Sequence, residues 1–192
     1  MGAASSRDQF PPIPTNPKPS RKTAEALAGH NRENGPVSDN RPRSRDLRKA
    51  RYSRAGSYYF LTTNVANRRR VFARTERAIV VLDAIRWLDR ERRFFIDAAV
   101  VMPDHIHLAG TLGDVSLSRV MHTLKSYTAS HLSKGGVDAP VWQPGFHDHA
   151  LRGDEDYAVR VRYLLDNPVR AGLVERADDY PFLILPSCWG EI

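Results

Sequence analysis

Cysteine occurs once in the 192 residues, as Cys188 near the C-terminal end. No disulfide can close within the chain and no multi-cysteine zinc cage can be built, so a reducing cytoplasm suits it. No apolar run approaches the roughly 20 residues of a membrane-spanning helix, and the N-terminal residues lack the apolar core of a secretory signal. These absences predict no membrane partner and no export. Acidic residues are also short: 22 Asp and Glu face 29 Lys and Arg, leaving a net charge of +7. A surface of that sign favours an anionic partner such as nucleic acid.

Aromatic residues are nearly missing from the first fifty positions, where Phe10 stands alone beside seven of the thirteen prolines. Such a composition cannot bury enough apolar area to offset chain entropy, so residues 1–48 are expected to form a disordered, basic, Pro-rich arm. Ten Lys and Arg against five Asp and Glu place most of the excess positive charge there. A flexible arm of this kind attracts phosphates without reading sequence, or is simply a solvated tail. Residues 49–192 remain for one domain with a C-terminal helical extension.

From Tyr58 the pattern turns globular. Tyr58 to Thr63 is aromatic and β-favouring, and Asn64 to Arg70 is a polar, basic loop. Residues 75–90 carry Ile79, Leu82 and Ile85 at helical spacing. Phe94 to Val101 and His105 to Thr111 read as strands joined by a tight Pro103-Asp104 connection, hence a hairpin. A second helix spans Ser116 to Leu132 and stops at Gly135-Gly136. Val141 to Leu151 is a fourth strand or extended segment, and Asp154 to Leu165 a third helix closed by Asn167-Pro168. The order β-α-β-β-α-β predicts an α+β fold: a split β-α-β, ferredoxin-like antiparallel sheet with two helices on one face, plus a C-terminal helix. That fold hosts unrelated functions and decides no chemistry.

The sharpest local signal is Met102-Pro103-Asp104-His105-Ile106-His107-Leu108. Alternate side chains of a strand share a face, so His105 and His107 project together and two imidazoles can grip a divalent metal. The spacing alone is weak, but a histidine pair packed for structure would need polar partners in the core. His147-Asp148-His149 repeats the spacing and is the second metal candidate. On the second helix, Tyr127 and His131 are four apart and can present a phenol and an imidazole to one pocket. Equally, Tyr127 reads as a half-buried core aromatic and His131 as a residue complementing the helix dipole. Arg68, Arg69, Arg70 and Lys125 can contact phosphates or be solvated. Tyr163 and Trp142 can stack on unpaired bases or pack in the core.

Taken in order, four stretches resemble one family. They are His105-Ile106-His107 on a strand, Lys125-Ser126-Tyr127 on a helix, Val141 to His149, and Tyr163 to Val174. Together they resemble the single-tyrosine HUH transposases (His, hydrophobic, His), more narrowly the REP-associated tyrosine transposases of bacteria, named for repetitive extragenic palindromes. The resemblance spans about residues 52–182. It implies a metal-dependent endonuclease and strand transferase acting on hairpins, or palindromic repeats, in single-stranded DNA through a covalent 5′-phosphotyrosine.

On this reading Tyr127 is the nucleophile and His105 and His107 hold Mg²⁺ or Mn²⁺. The third ligand follows one helical turn after the tyrosine. There the family typically has an amide and this chain has His131. Arg68, Arg69, Arg70, Lys125, Arg152 and Arg170 are the candidate DNA contacts, with His147, Asp148 and His149 in support. The resemblance also implies a bacterial cytoplasmic, nucleoid-associated protein working as a monomer or as a homodimer that exchanges tyrosine helices. Two alternatives stand beside it: a non-catalytic hairpin-binding module, and a metal-dependent nuclease using activated water.

Overall fold

A computed structural model of the chain describes residues 53–152 and 157–186. The expected basic arm, residues 1–48, lies outside them, as do residues 153–156 and 187–192. Strand β1 (Tyr58–Asn64) leads through two short 3-10 turns into helix α1 (Thr75–Arg90). Strands β2 (Phe94–Met102) and β3 (His105–Leu112) follow, then helix α2 (Leu117–Lys134) and strand β4 (His147–Ala150). Helix α3 (Tyr157–Leu165), the short helix α4 (Asn167–Arg170) and strand β5 (Leu183–Ile184) complete the described elements.

The five strands form one antiparallel sheet in the order β4-β1-β3-β2-β5. Its first four strands have the order expected of the split β-α-β arrangement. The fifth, only two residues long, lies on the far edge of β2 and carries no readable pattern of its own. Pro103 and Asp104 close the β2–β3 hairpin, with Met102 opposite His105. The loop after β1 is tied to this turn, because Val65 N–H donates to Asp104 O and Phe72 N–H to Pro103 O.

The sheet has two apolar faces. On one, Leu61, Ile106 and Leu108 pack against Val81, Ile85 and Leu88 of α1 and Leu117, Met121 and Leu124 of α2. Ile79, expected in the α1 stripe, is exposed because Ala78 and Val81 take that face instead. On the other face, Ala98, Val100 and Ala109 pack against Val161, Leu164 and Leu165 of α3. Each fully buried Leu or Val contributes about 1.5–3 kcal/mol, so α3 is anchored by side chains on one stripe.

A β-bulge between Ile96 and Ala98 shifts the β2 register. It reverses the alternation, so Phe94 and Ile96 share the α1/α2 face with Ala99 and Val101. Gly110 permits the close approach here: a Cβ on it would meet the Phe95 carbonyl oxygen at 2.1 Å.

Candidate active site

Strand parity decides where the histidines go. Ile106 and Leu108 are buried beneath α1 and α2, so His105 and His107 project from the opposite face, with ring centres 4.7 Å apart. Thr62 lies opposite His107 on β1 and its Oγ1 is 2.7 Å from His107 Nδ1. Burial, helped by the charges of His105, Arg68 and Arg170, lowers the His107 pKa to about 3. This imidazole is neutral at physiological pH. With the proton on Nδ1 toward Thr62, its Nε2 lone pair is available.

His105 Nδ1 lies 2.6 Å from Asp104 Oδ1, and Arg68 Nε donates to Asp104 Oδ2 at 3.0 Å. Asn64 Oδ1 in turn accepts from Arg68 Nη1 at 2.6 Å. A carboxylate behind an imidazole fixes its tautomer and ring orientation, a common support for a metal-bound histidine. Two oriented imidazoles on one face fit a divalent cation. Among the described residues no third His, Cys, Asp or Glu joins them, so a complete shell needs an amide, substrate or water oxygen.

The expected nucleophile is not on this face. Helix α2 buries Leu117, Val120, Met121 and Leu124 against the opposite side, and the sheet stands between Tyr127 and the histidines. Tyr127 is 49 % exposed and stacks on His131, with ring centres 4.1 Å apart. His131 is therefore no third ligand to an ion held by His105 and His107. Lys125 is drawn away too, its Nζ donating to the carbonyls of Gln143 and Gly145 at 2.5 and 2.7 Å. A helical period places Tyr127 and His131 together but leaves open which side of the sheet receives them.

Helix α3 supplies what α2 does not. Tyr163, Asn167, His107, Thr62 and Phe60 line one cleft of about 530 Å³. Tyr163 is 60 % exposed, and the Arg170 guanidinium lies 3.9 Å from the centre of its ring. Asn167, four residues after Tyr163, donates through Nδ2 to the carbonyls of Leu164 and Tyr163 at 2.7 and 3.3 Å, an arrangement that directs its Oδ1 acceptor outward from the helix end. The signal was present in the sequence. Asn167 is the amide one turn beyond a tyrosine that His131 fails to supply after Tyr127.

The remaining candidates divide by position. His147 and His149 lie opposite Thr62 and Phe60 and so share the histidine face, while Asp148, opposite Leu61, points the other way. Two strand spacings, about 10 Å of backbone, separate His147 from His107, and among the described residues neither His147 nor His149 forms a metal-ligating group of three with His105 and His107. Arg152 is exposed and follows Leu151, whose N–H bonds Tyr58 O. It lies roughly 16 Å along the sheet from the His107 row and does not join the site. Trp142 is a core residue, donating through Nε1 to Thr128 Oγ1 at 2.9 Å and packing on Phe72. Arg69 is partly structural, donating to the carbonyls of Ala66, Asp138 and Pro140. With Arg70, Arg77 and Asp138 it lines a second cleft of about 240 Å³.

The sequence model of the family described as "Transposase IS200 like" matches residues 54–163. The chain belongs to this family. It is 37 % identical over 135 residues to the REP-associated tyrosine transposase of Escherichia coli (strain K12), covering 69 % of this chain and 78 % of that protein. A solved structure of a REP-associated tyrosine transposase bound to a REP hairpin matches with a TM-score of 0.61 and 33 % identity, over 73 % of this chain and 81 % of the other. This transposase is thus an enzyme that cleaves and rejoins DNA, built on the antiparallel α+β sheet described above. Among its described residues no helix is long and apolar enough to cross a membrane.

Proposed function

We propose that this transposase cuts and rejoins single-stranded DNA beside hairpins, with Tyr163 as the nucleophile. One observation carries the assignment: Tyr163 and His107 line the same cleft, whereas Tyr127 lies across the sheet. The phenolic oxygen forms a bond to phosphorus as the bond from phosphorus to the 3′ oxygen breaks, leaving a 5′-phosphotyrosine and a free 3′-hydroxyl. The phenolic proton leaves Tyr163, and a proton is taken up by the departing 3′ oxygen. The phosphotyrosine ester preserves the bond energy, so a 3′-hydroxyl can reverse the attack or join a new end without ATP.

His105 and His107, with Asn167 Oδ1, are the residues that would hold Mg²⁺ or Mn²⁺. When bound, such an ion polarises the scissile phosphate and offsets its developing charge. The chain's own residues do the rest. Thr62 and Asp104 orient the imidazoles, Arg170 brings a cation to the phenol, and Val161, Leu164 and Leu165 seat α3 on the sheet. His147 and His149 flank the cleft as supporting groups. One chain supplies both tyrosine and histidines, so a monomer completes the site. Arg68 braces Asp104, and the arginine-lined cleft beside it continues from the His105 end of the sheet as a path for the DNA backbone.

A 5′-flanked hairpin oligonucleotide, labelled and incubated with Mn²⁺, tests this on a denaturing gel. A protein-linked band that survives Tyr127→Phe and disappears in Tyr163→Phe is expected. A band lost with Tyr127→Phe alone overturns the assignment. Free cleaved product independent of Tyr163 identifies a water-activating nuclease, and a mobility shift without cleavage identifies a binding module.

A further inference from the structure

Asp97 is a carboxylate that the reaction does not consume. It sits at the β2 bulge, which turns it onto the α3 side of the sheet. There its Oδ2 accepts from the hydroxyl of Tyr58 on β1 at 2.9 Å and from the hydroxyl of Tyr157. The two rings meet edge to face, with centres 5.3 Å apart. Tyr157 is the first residue of α3, and Tyr163 follows six residues later, about 9 Å along the helix. Below that point α3 is held by the buried Val161, Leu164 and Leu165. Apolar contacts of this kind are non-directional and leave a short helix free to slide or tilt by fractions of an ångström. The hydrogen bonds to Asp97 are directional and fix its start.

We infer that Asp97 is a positioning residue for strand transfer: from the bulge it clamps Tyr58 and Tyr157, and through the start of α3 it sets where the Tyr163 phenol stands over the histidine face. The inference rests on the proposed role of Tyr163. Burial raises the Asp97 pKa, with the Tyr58 hydrogen bond opposing. A neutral asparagine can accept the same two hydroxyl protons, so the clamp needs an acceptor and no charge.

The test compares Asp97→Ala, Asp97→Asn and Tyr157→Phe in the full chain. Single-turnover formation of the protein–DNA adduct on the flanked hairpin with Mn²⁺, hairpin affinity, and amide hydrogen exchange along α3 are measured in parallel. Asp97→Ala and Tyr157→Phe are expected to slow adduct formation by about 10- to 100-fold, the scale of a sub-ångström to 1 Å misplacement. Hairpin affinity is expected to hold within about twofold, while exchange over residues 157–165 accelerates by about tenfold or more and the β1–β3 pairing stays protected. Asp97→Asn should restore both rate and protection.

Wild-type exchange over α3 in Asp97→Ala overturns the inference, as does acceleration spread evenly over the sheet, or an asparagine variant as slow as alanine. If Asp97→Ala does not fold, Tyr157→Phe carries the same test by losing one hydroxyl. If the wild-type protein gives no Tyr163 adduct, the proposed reaction fails. The exchange data then still decide whether Asp97 holds α3.

Discussion

The Arg170 guanidinium lies 3.9 Å from the centre of the Tyr163 ring, and its charge is felt at His107. A cation stacked on the phenol and close enough to act on the neutral His107 imidazole is placed to meet the charge of an entering phosphodiester. Stacking on the ring is worth about 0.5–1 kcal/mol at an exposed site, little enough for the guanidinium to exchange it for a phosphate contact. Arg170→Ala is expected to slow adduct formation by about 100- to 1,000-fold, the scale of losing one charge-stabilising donor. Arg170→Lys should recover most hairpin affinity and less of the rate, because an ammonium lacks the planar fork. Single-turnover gels beside binding titrations check both.

Because one chain carries Tyr163 and His107 on a common cleft, complementation between inactive chains should fail. Tyr163→Phe retains the histidines and lacks the nucleophile, while His107→Ala retains the nucleophile and lacks a ligand. Mixed in equal amounts and incubated long enough for subunits to exchange, they are expected to give no more adduct than either alone. Recovery approaching a quarter to half of the wild-type yield would show helices exchanged between partners.

His107 also makes a prediction about acid. Its pKa falls from 6.5 to about 3 on folding, chiefly through burial. The folded protein therefore leaves this ring neutral, while an unfolded chain protonates it below pH 6.5. The corresponding stability is complete above pH 6.5 and is lost as pH drops toward 3, by at most about 1.4 kcal/mol per pH unit. Asp97 acts in the opposite sense: its raised pKa favours the protonated folded form, so its contribution grows on acidification and is lost as pH rises through the folded value. Thermal melting of metal-free protein between pH 7 and 5 should show a fall that His107→Gln flattens.

How much of this was readable from residue order depends on the range of each signal. The β2–β3 hairpin follows from Pro103-Asp104 between two apolar runs, and alternation about Ile106 alone turns His105 and His107 the same way. Helical spacing likewise placed Tyr127 beside His131, and the structure keeps them stacked. What spacing cannot carry is the choice of sheet face. Helix α3 has the same kind of apolar stripe as α2, yet its Val161, Leu164 and Leu165 meet Ala98 and Val100, residues whose direction depends on the Asp97 bulge. No local pattern announces that bulge, since it follows from the pairing of β2 with β3 at Gly110. The clue that would have overridden spacing was chemical: Tyr163 is followed one turn later by an amide, and Tyr127 is not.

The arginine cleft offers a last prediction, separable from catalysis. Arg69 is committed to carbonyls of the Asp138–Pro140 loop, but the guanidinium groups of Arg70 and Arg77 pair with no carboxylate among the described residues. Both line the cleft beyond the Arg68–Asp104–His105 chain, where a strand leaving the histidines along the end of the sheet would pass. Each phosphate neutralised on a single strand contributes about 0.7 to the slope of log affinity against log salt. Arg70→Ala with Arg77→Ala is therefore expected to lower that slope by about 1.4 on a hairpin with a single-stranded flank, and to leave it unchanged on the same hairpin trimmed of its flank. Equal losses on both oligonucleotides would place the stem in the cleft instead, and no loss on either would take this end of the sheet out of the DNA path.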